Sequence, residues 1–475
     1  MRINHNSLAL NASDHFATIN SNISKSMSKL SSGNKITSPS DDAAGLAIST
    51  KMSAQIRGLN RAARNSSDGI SVIQSSESGL NEIHSILGRM RELAVQAAND
   101  VNYEDDRDSI QLEIEALQAE INQIVDTTAF NEQKLLNGNI SRRTLSSEYN
   151  IQATYVSEEV PVGVYDIEVT KDATHAVLAT GINSGIATIT EDTEGTILVN
   201  DFAVQITEGM TASDVYEALQ VHLNKIGIDV IASNDGGDTA TDFTTGAPVY
   251  FVSKGYGSTE KIDIKIANPL LAGLLGIADG TSEAGEDCEV SLTVSSNGFT
   301  NTATYKSDGN TINIVDRNGF EMRFEIQPDT LKSGNNVASV EVLSAGTMVI
   351  QSGANSGEQI EIDIPSLDTK SLGIDDIIIY THDYAGSAIT AIDEAVKLVS
   401  KIRSKLGAYE NRLDDVTENL AAQEESITAA YSRIMDTDMA EEMTNYTQQD
   451  VLAQAAISMM KKSNERPESI LQLLQ

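Results

Sequence analysis

The chain has 475 residues, a net charge of −36 and no tryptophan, a balance that permits a large core and argues against nucleic acid and anionic membrane as partners. One cysteine, Cys288, excludes an intrachain disulfide and a thiolate zinc site. No segment approaches the ~18 consecutive apolar residues that cross a bilayer, and the opening MRINHNSLALNASDHF has neither an apolar run nor a small-residue cleavage site, so no conventional secretory signal is expected.

Proline and glycine mark the organisation. None of the seven prolines lies between Pro39 and Pro161 or between Pro365 and Pro467, which leaves room for very long helices. Of the 32 glycines, 23 fall in 141–385. The length allows about three domains, and the order reads helix, glycine-rich β region, helix.

In the first arm, Phe16, Ile19, Ile23, Met27 and Leu30 step by three or four. After a break at Ser31-Ser32-Gly33 the stripe resumes as Ile56, Leu59, Ala63, Ser66, Ile70, Ile73, Glu77, Leu80, Ile83 and Leu87, close to a heptad. Ser38-Pro39-Ser40-Asp41 reads as a helix start with Pro at the first position and the Asp41 carboxylate at the third. A third run, Ile110, Ile114, Leu117, Ile121 and Ile124, follows a polar turn at 99–106 and predicts a helical hairpin.

Residues 141–345 alternate instead. Tyr165-Asp166-Ile167-Glu168-Val169, Thr311-Ile312-Asn313-Ile314-Val315 and Arg323-Phe324-Glu325-Ile326 predict strands, with Asp316-Arg317-Asn318-Gly319 as a turn. This segment holds 30 acidic and 11 basic residues, a net of −19, as suits an outward-facing domain. The first 64 residues have the opposite bias, eight basic against three acidic.

The last arm runs Ile392, Val396, Val399, Ile402, Leu406, Tyr409, Leu413, Val416, Leu420, Gln423, Ile427, Ala430 and Ile434, on the order of 65 Å of helix at ~1.5 Å per residue. One narrow stripe does not hold so long a helix by itself, and the N-terminal stripes are its natural partners. Periodicity alone leaves a self-contained bundle and an assembling arm equally open.

Signatures of catalysis are thin. The six histidines are scattered, and there is no HExxH, GxSxG or P-loop. The loop at 283–289 is acidic but lacks the alternating ligands and central glycine of an EF-hand, so it reads as a solvated charge run. Acidic pairs such as Asp41-Asp42 are unremarkable in so acidic a chain. Neither an enzyme nor a cofactor or metal is expected.

At both ends the motifs become specific. They include Leu30-Ser31-Ser32-Gly33, then Ser38-Pro39-Ser40-Asp41-Asp42-Ala43-Ala44-Gly45-Leu46-Ala47-Ile48, then Arg89-Met90-Arg91-Glu92-Leu93-Ala94-Val95-Gln96-Ala97-Ala98-Asn99 and Lys134-Leu135-Leu136-Asn137-Gly138. Near the other end stand Leu406-Gly407-Ala408-Tyr409-Glu410-Asn411-Arg412-Leu413, Ser432-Arg433-Ile434-Met435-Asp436, and Ile470-Leu471-Gln472-Leu473-Leu474-Gln475. With these strings, over about 1–140 and 346–475, the chain resembles bacterial flagellin, the filament subunit of the flagellum.

The resemblance implies an α+β chain whose termini form long antiparallel helical, coiled-coil arms around a β-rich variable insert. Residues 1–42 with 437–475 are then the inner coiled-coil layer. Residues 43–140 with 346–436 are the rod, including a β-hairpin between Ile350 and Gly373, and 141–345 is the outer domain. Within it, 195–264 is similar to a module of flagellins and hook-associated proteins, with strands in 196–206, a helix over 211–226, and strands at Ile228–Ala232 and 249–253.

By the same likeness the chain polymerises with itself into a helical filament for swimming. Leu30, Asp41, Asp42, Gly45, Asn411, Arg412, Arg433, Ile470, Leu471, Leu473 and Leu474 belong to the assembly and terminal motifs. Weakly apolar terminal helices are expected to be disordered in the monomer and to fold on assembly. Disorder suits unfolded export through the flagellar type III apparatus, with no cleaved signal and an extracellular destination. An export chaperone at 437–475 and the filament cap and hook-junction proteins are the implied partners.

Toll-like receptor 5 is a further implied partner of the monomer, through Arg89, Leu93 and Glu113 with Gln96 nearby. Gly88 departs from the family there. Other readings are a hook–filament junction protein, a metallopeptidase insert (excluded for want of HExxH), a carbohydrate-binding insert, and glycans on 239–245.

Overall fold

The structure is a computed structural model that describes residues 6–99, 101–183, 188–233, 248–277, 279–295, 298–334 and 336–473. The run 239–245 lies outside the described residues. In chain order, helices α1 (Ser7–Ser32), α2 (Ala43–Ala97) and α3 (Glu104–Thr127) precede a short ladder of β1 (Ala129–Phe130) and β2 (Gln133–Lys134). The β region opens with β3 (Thr144–Ser146), β4 (Ile151–Val156), β5 (Gly163–Lys171), β6 (Val177–Asn183), β7 (Gly195–Val199) and β8 (Phe202–Ile206). It continues through α4 (Ala212–Leu223), β9 (Ile228–Ala232), β10 (Pro248–Ser253), β11 (Lys261–Ile266), α5 (Pro269–Leu275), β12 (Thr281–Ala284) and β13 (Glu289–Leu292). The outer strands are completed by β14 (Thr304–Asp308), β15 (Thr311–Val315), β16 (Glu321–Ile326), α6 (Thr330–Ser333) and β17 (Val337–Val342). The hairpin β18 (Met348–Gln351) and β19 (Gln359–Ile362), the turn helix α7 (Thr369–Leu372), and helices α8 (His382–Met435) and α9 (Met439–Leu473) follow. Helical ends and a β-rich centre make the fold α+β, as the sequence predicts.

The chain divides into two compact units, residues 1–69, 350–360 and 412–475, and residues 70–349 and 361–411. In the first, α1 and α9 run antiparallel. Asn6 Nδ2 donates to the Ser463 carbonyl at 3.0 Å, while at the other end Thr437 N donates to Gly33 O at 3.0 Å. Gly33 closes α1 in the left-handed region at φ +73°, which favours glycine and explains the break after Ser32. Beyond them, Leu59, Ala62 and Leu420 form a small core with Val416, Ile427 and Ala354. The hairpin reaches this core at Gly58, where a Cβ would lie only 3.0 Å from that of Ala354.

In the second unit the heptad residues are the core. Ile73, Leu80, Ile83 and Leu87 of α2, Ile114 and Ile121 of α3, and Ile392, Val399 and Leu406 of α8 are buried. Ion pairs flank them: Arg91 Nε–Asp393 Oδ1 at 2.6 Å and Arg403–Glu77 at 3.6 Å. Asn122 of α3 pins the segment before α8 through Thr369, accepting from its N at 3.0 Å.

The insert has two separate cores, and the stretch of chain that builds one is inserted within the stretch that builds the other. Sheets β13-β5-β17-β3 and β14-β15-β16-β4 enclose Tyr165, Ile167, Phe299, Phe324 and Val340. The inner core lies between sheets β6-β10-β9 and β12-β11-β7-β8 with α4, around Val204, Tyr216, Leu219 and Phe251. Its elements fall where the module resemblance puts them, with α4 running on into a 3-10 turn at Asn224–Ile226. Chain enters and leaves it side by side, since Thr174 N donates to Glu286 O at 2.9 Å.

Several expectations change. Asp41 does not cap α2. Its Oδ2 accepts from Thr37 N at 3.1 Å and Ser38 N at 3.0 Å and closes the preceding turn, while Asp42 Oδ1 takes Ala44 N and Gly45 N as the helix cap. Proline therefore sits in the turn and α2 begins four residues after it. Met27 of α1 and Gln423 of α8 hold stripe positions but are exposed, so the stripe of α8, half-buried at Val396 and Val416, is interrupted after Leu420.

Candidate functional site

The terminal motif residues separate into turn builders and outward faces. Asp41, Asp42 and Gly45 shape the link from α1 to α2. Gly45 is buried, and a Cβ there would stand 2.5 Å from Asp42 Oδ2 and 2.7 Å from Ile36 Cδ1, so a larger residue would have to displace the capping carboxylate and the Ile36 methyl. Hydrogen bonds from Thr37 and Ser38 hold the Asp41 carboxyl below its usual range. Leu30 is half-buried on α1, while Asn411, Arg412 and Arg433 stand exposed on α8. Ile470, Leu471 and Leu473 fall in the last turns of α9, and Leu474 lies outside the described residues.

The faces of α1 and α9 carry a series of exposed apolar residues. Ser26 is the one buried residue of α1, and Ala453 the one among the described side chains of α9. Leu10 is 61% exposed and Met459 69%, and Leu8, Met27, Met443, Val451 and Ile457 are also exposed. Isolated exposed apolar residues are ordinary, but a series along two paired helices marks an interaction surface.

The rod positions gather on α2 and α3. Arg89 donates to Glu113 Oε1 from Nη2 at 2.8 Å and from Nε at 3.0 Å, and to Glu92 Oε2 from Nη1 at 3.3 Å. These bonds, chiefly those to Glu113, raise the guanidinium pKa further. Gln96 is exposed on the same helix. Leu93 is 2% exposed and packs inward, so the geometry gives it a supporting place rather than a surface one. Gly88 faces open space.

Sequence reasoning missed how the insert is fastened to the rod. Lys225 pairs with Asp108 of α3 at 2.9 Å, and Asn200 Nδ2 donates to Tyr384 Oη of α8 at 3.0 Å. The outer core is held by Lys401–Glu321 at 3.4 Å, Lys405–Glu158 at 2.8 Å, and the Tyr409 hydroxyl on Glu158. Tyr409 carried a signal, being the one aromatic in the apolar stripe of α8. The charged partners carried none. Among the described residues no three His, Cys, Asp or Glu side chains are grouped as a metal site, and no helix is long and apolar enough to cross a membrane.

Known proteins match this chain from end to end. Residues 3–141 match the bacterial flagellin N-terminal helical region, and residues 389–474 match the C-terminal helical region. A flagellin of Clostridium tyrobutyricum is 36% identical over 98% of this chain and 100% of its own length. Flagellin A of Vibrio anguillarum is 30% identical over 100% of this chain and 99% of its own, and flagellin of Bacillus subtilis 30% identical over 100% of both. Paired helical ends with an uncovered apolar face, and kinship over the whole length, place the chain in the bacterial flagellin family, the structural subunits of the flagellar filament.

Proposed function

We propose that the chain polymerises with itself into the helical extracellular filament that drives swimming, its terminal helices completing their packing only between neighbouring copies. The observation that carries this is the exposed apolar series on α1 and α9. Burying apolar surface yields roughly 25 cal/mol per Å², so copies that cover these faces gain what the lone chain lacks. Contacts of this kind are heterologous and do not close, which generates a helix of subunits. In this reading residues 1–42 with 437–475 form the inner layer. Residues 43–140 with 346–436 form the rod, and 141–345 faces outward with its excess of carboxylates.

The same terminal faces suit the steps before assembly. Export unfolded through the type III apparatus, a chaperone on 437–475, and delivery past the hook-junction and cap proteins all use ends that are not yet packed. Deleting 437–475 tests the reading. The variant is expected to be a soluble monomer that does not polymerise on added seeds, and normal filaments by electron microscopy would refute the assignment. Long filaments from the intact chain would also separate it from a junction protein, which stops at a few copies.

For the monomer we propose recognition by Toll-like receptor 5 at Arg89, Gln96 and Glu113, with Leu93 holding the helix beneath them. The support is an exposed bidentate cluster on α2 and α3 at the positions where the family resemblance puts it.

A further inference from the structure

Asp363 directly follows β19, and its residue is 6% exposed. Its visible partner is a backbone group: Arg142 N donates to Oδ1 at 3.2 Å. The Ser141 hydroxyl also bonds it; the Arg142 guanidinium donates elsewhere, to the Val160 carbonyl, and its charge favours the carboxylate without offsetting the burial. A carboxylate buried on neutral donors is costly when charged.

Like charge adds to the cost. From the loop after β4, Glu158 faces Asp363, and its own bonds go to Lys405 and Tyr409 of α8. Lys405 also serves Glu159 at 3.4 Å, so one ammonium is shared by two carboxylates. The Tyr409 and Tyr155 hydroxyls feel the Asp363 charge and are themselves pushed up, mainly by burial. Segments entering the insert, the outer sandwich, the end of the hairpin and α8 thus meet around a carboxyl that holds its proton more tightly than an exposed one.

We propose that Asp363 is a proton-operated joint, at which protonation tightens the outer core of the insert onto α8 and deprotonation loosens it.

Burial, with a smaller push from Glu158, raises the Asp363 pKa to about 6 from 3.8. The sign follows. The closed joint holds a proton that an opened, solvated Asp363 would release. Closure therefore strengthens as pH falls through about 6 towards the ordinary value, and weakens as pH rises through the same window. A subunit in mildly acidic surroundings presents a stiffer insert than one at neutral pH.

Hydrogen exchange on the full-length monomer tests this, between about pH 7.5 and about pH 5 after correction for intrinsic exchange. Amides in 140–146, 155–160 and 360–366 are expected to gain about tenfold protection at the lower pH, while the buried turns of α2 stay level. In Asp363→Asn the same amides are expected to be well protected at both. Flat protection in the wild type, or an unchanged pH response in Asp363→Asn, overturns the proposal. Should that variant not fold, the carboxyl carbon resonances of wild-type aspartates decide: one is expected to titrate near 6, and none above about 5 would sink the idea.

Discussion

Arg89 on α2 places Nη2 and Nε on one oxygen of Glu113 on α3, at 2.8 and 3.0 Å, while its third nitrogen reaches Glu92. The guanidinium is half exposed, so the pairing orients it without burying it. Exposed pairs contribute little to stability. Arg89→Ala is therefore expected to melt like the wild type and yet to activate a Toll-like receptor 5 reporter on the order of tenfold less, as arginines at the centre of interfaces do. Equal activation would remove Arg89 from the site.

Gly88, one residue earlier, lies in the interior of α2 with nothing within 4 Å of a Cβ built on it. Glycine at such a place costs about 0.5–1 kcal/mol relative to alanine. Gly88→Ala should raise monomer stability by that amount in urea titration, and no clash stands in its way.

The two kinds of apolar residue should respond differently to truncation. Leu406 is 1% exposed in the rod, and Leu406→Ala is expected to cost the monomer about 2–5 kcal/mol. Ile457 on α9 is exposed. Ile457→Ala should leave monomer melting unchanged and raise the concentration needed for polymerisation, measured by sedimentation of seeded filaments.

Cys288 is fully buried in the outer sandwich, and burial together with Asp287 pushes its thiol up to about 12. The thiolate is the reactive form. A disulfide reagent at neutral pH should find no thiol in the folded chain and one per chain in denaturant. Rapid modification of native protein would show that the sandwich opens readily.

The helical part was legible because one face of a helix recurs every three or four residues. Leu80, Leu87 and Leu406 fall on that period and are buried. The strand at Thr311–Val315 was legible through alternation and the turn after it. What stayed hidden depends on distant parts of the chain. Pairing of β3 with β17 and of β4 with β16 leaves no local sign, so the outer core went unannounced, whereas the module likeness over 195–264 pointed to the inner one. The cap of α2 is a contest between adjacent aspartates, decided by backbone geometry that composition does not report. At the candidate site, Arg89 heads a quoted motif string and Glu113 came only from the family likeness, while the inward turn of Leu93 and the fastening of Lys225 to Asp108 needed coordinates.

The insertion of one core's stretch of chain within the other's sets an order in time. The buried residues of the inner core all lie within 176–277, with Tyr380 and Tyr384 packing on from farther along the chain, whereas the bond from Asn6 to Ser463 spans 457 residues. Closing a loop costs more entropy as it lengthens, and short-range contacts form first. A newly made chain is accordingly expected to fold from its centre towards its ends. On that expectation the strands of the inner core pair early, the flanking strands of the sandwich next, and the terminal helices last. The surfaces that must accept a neighbour are thereby the ones left unfinished longest.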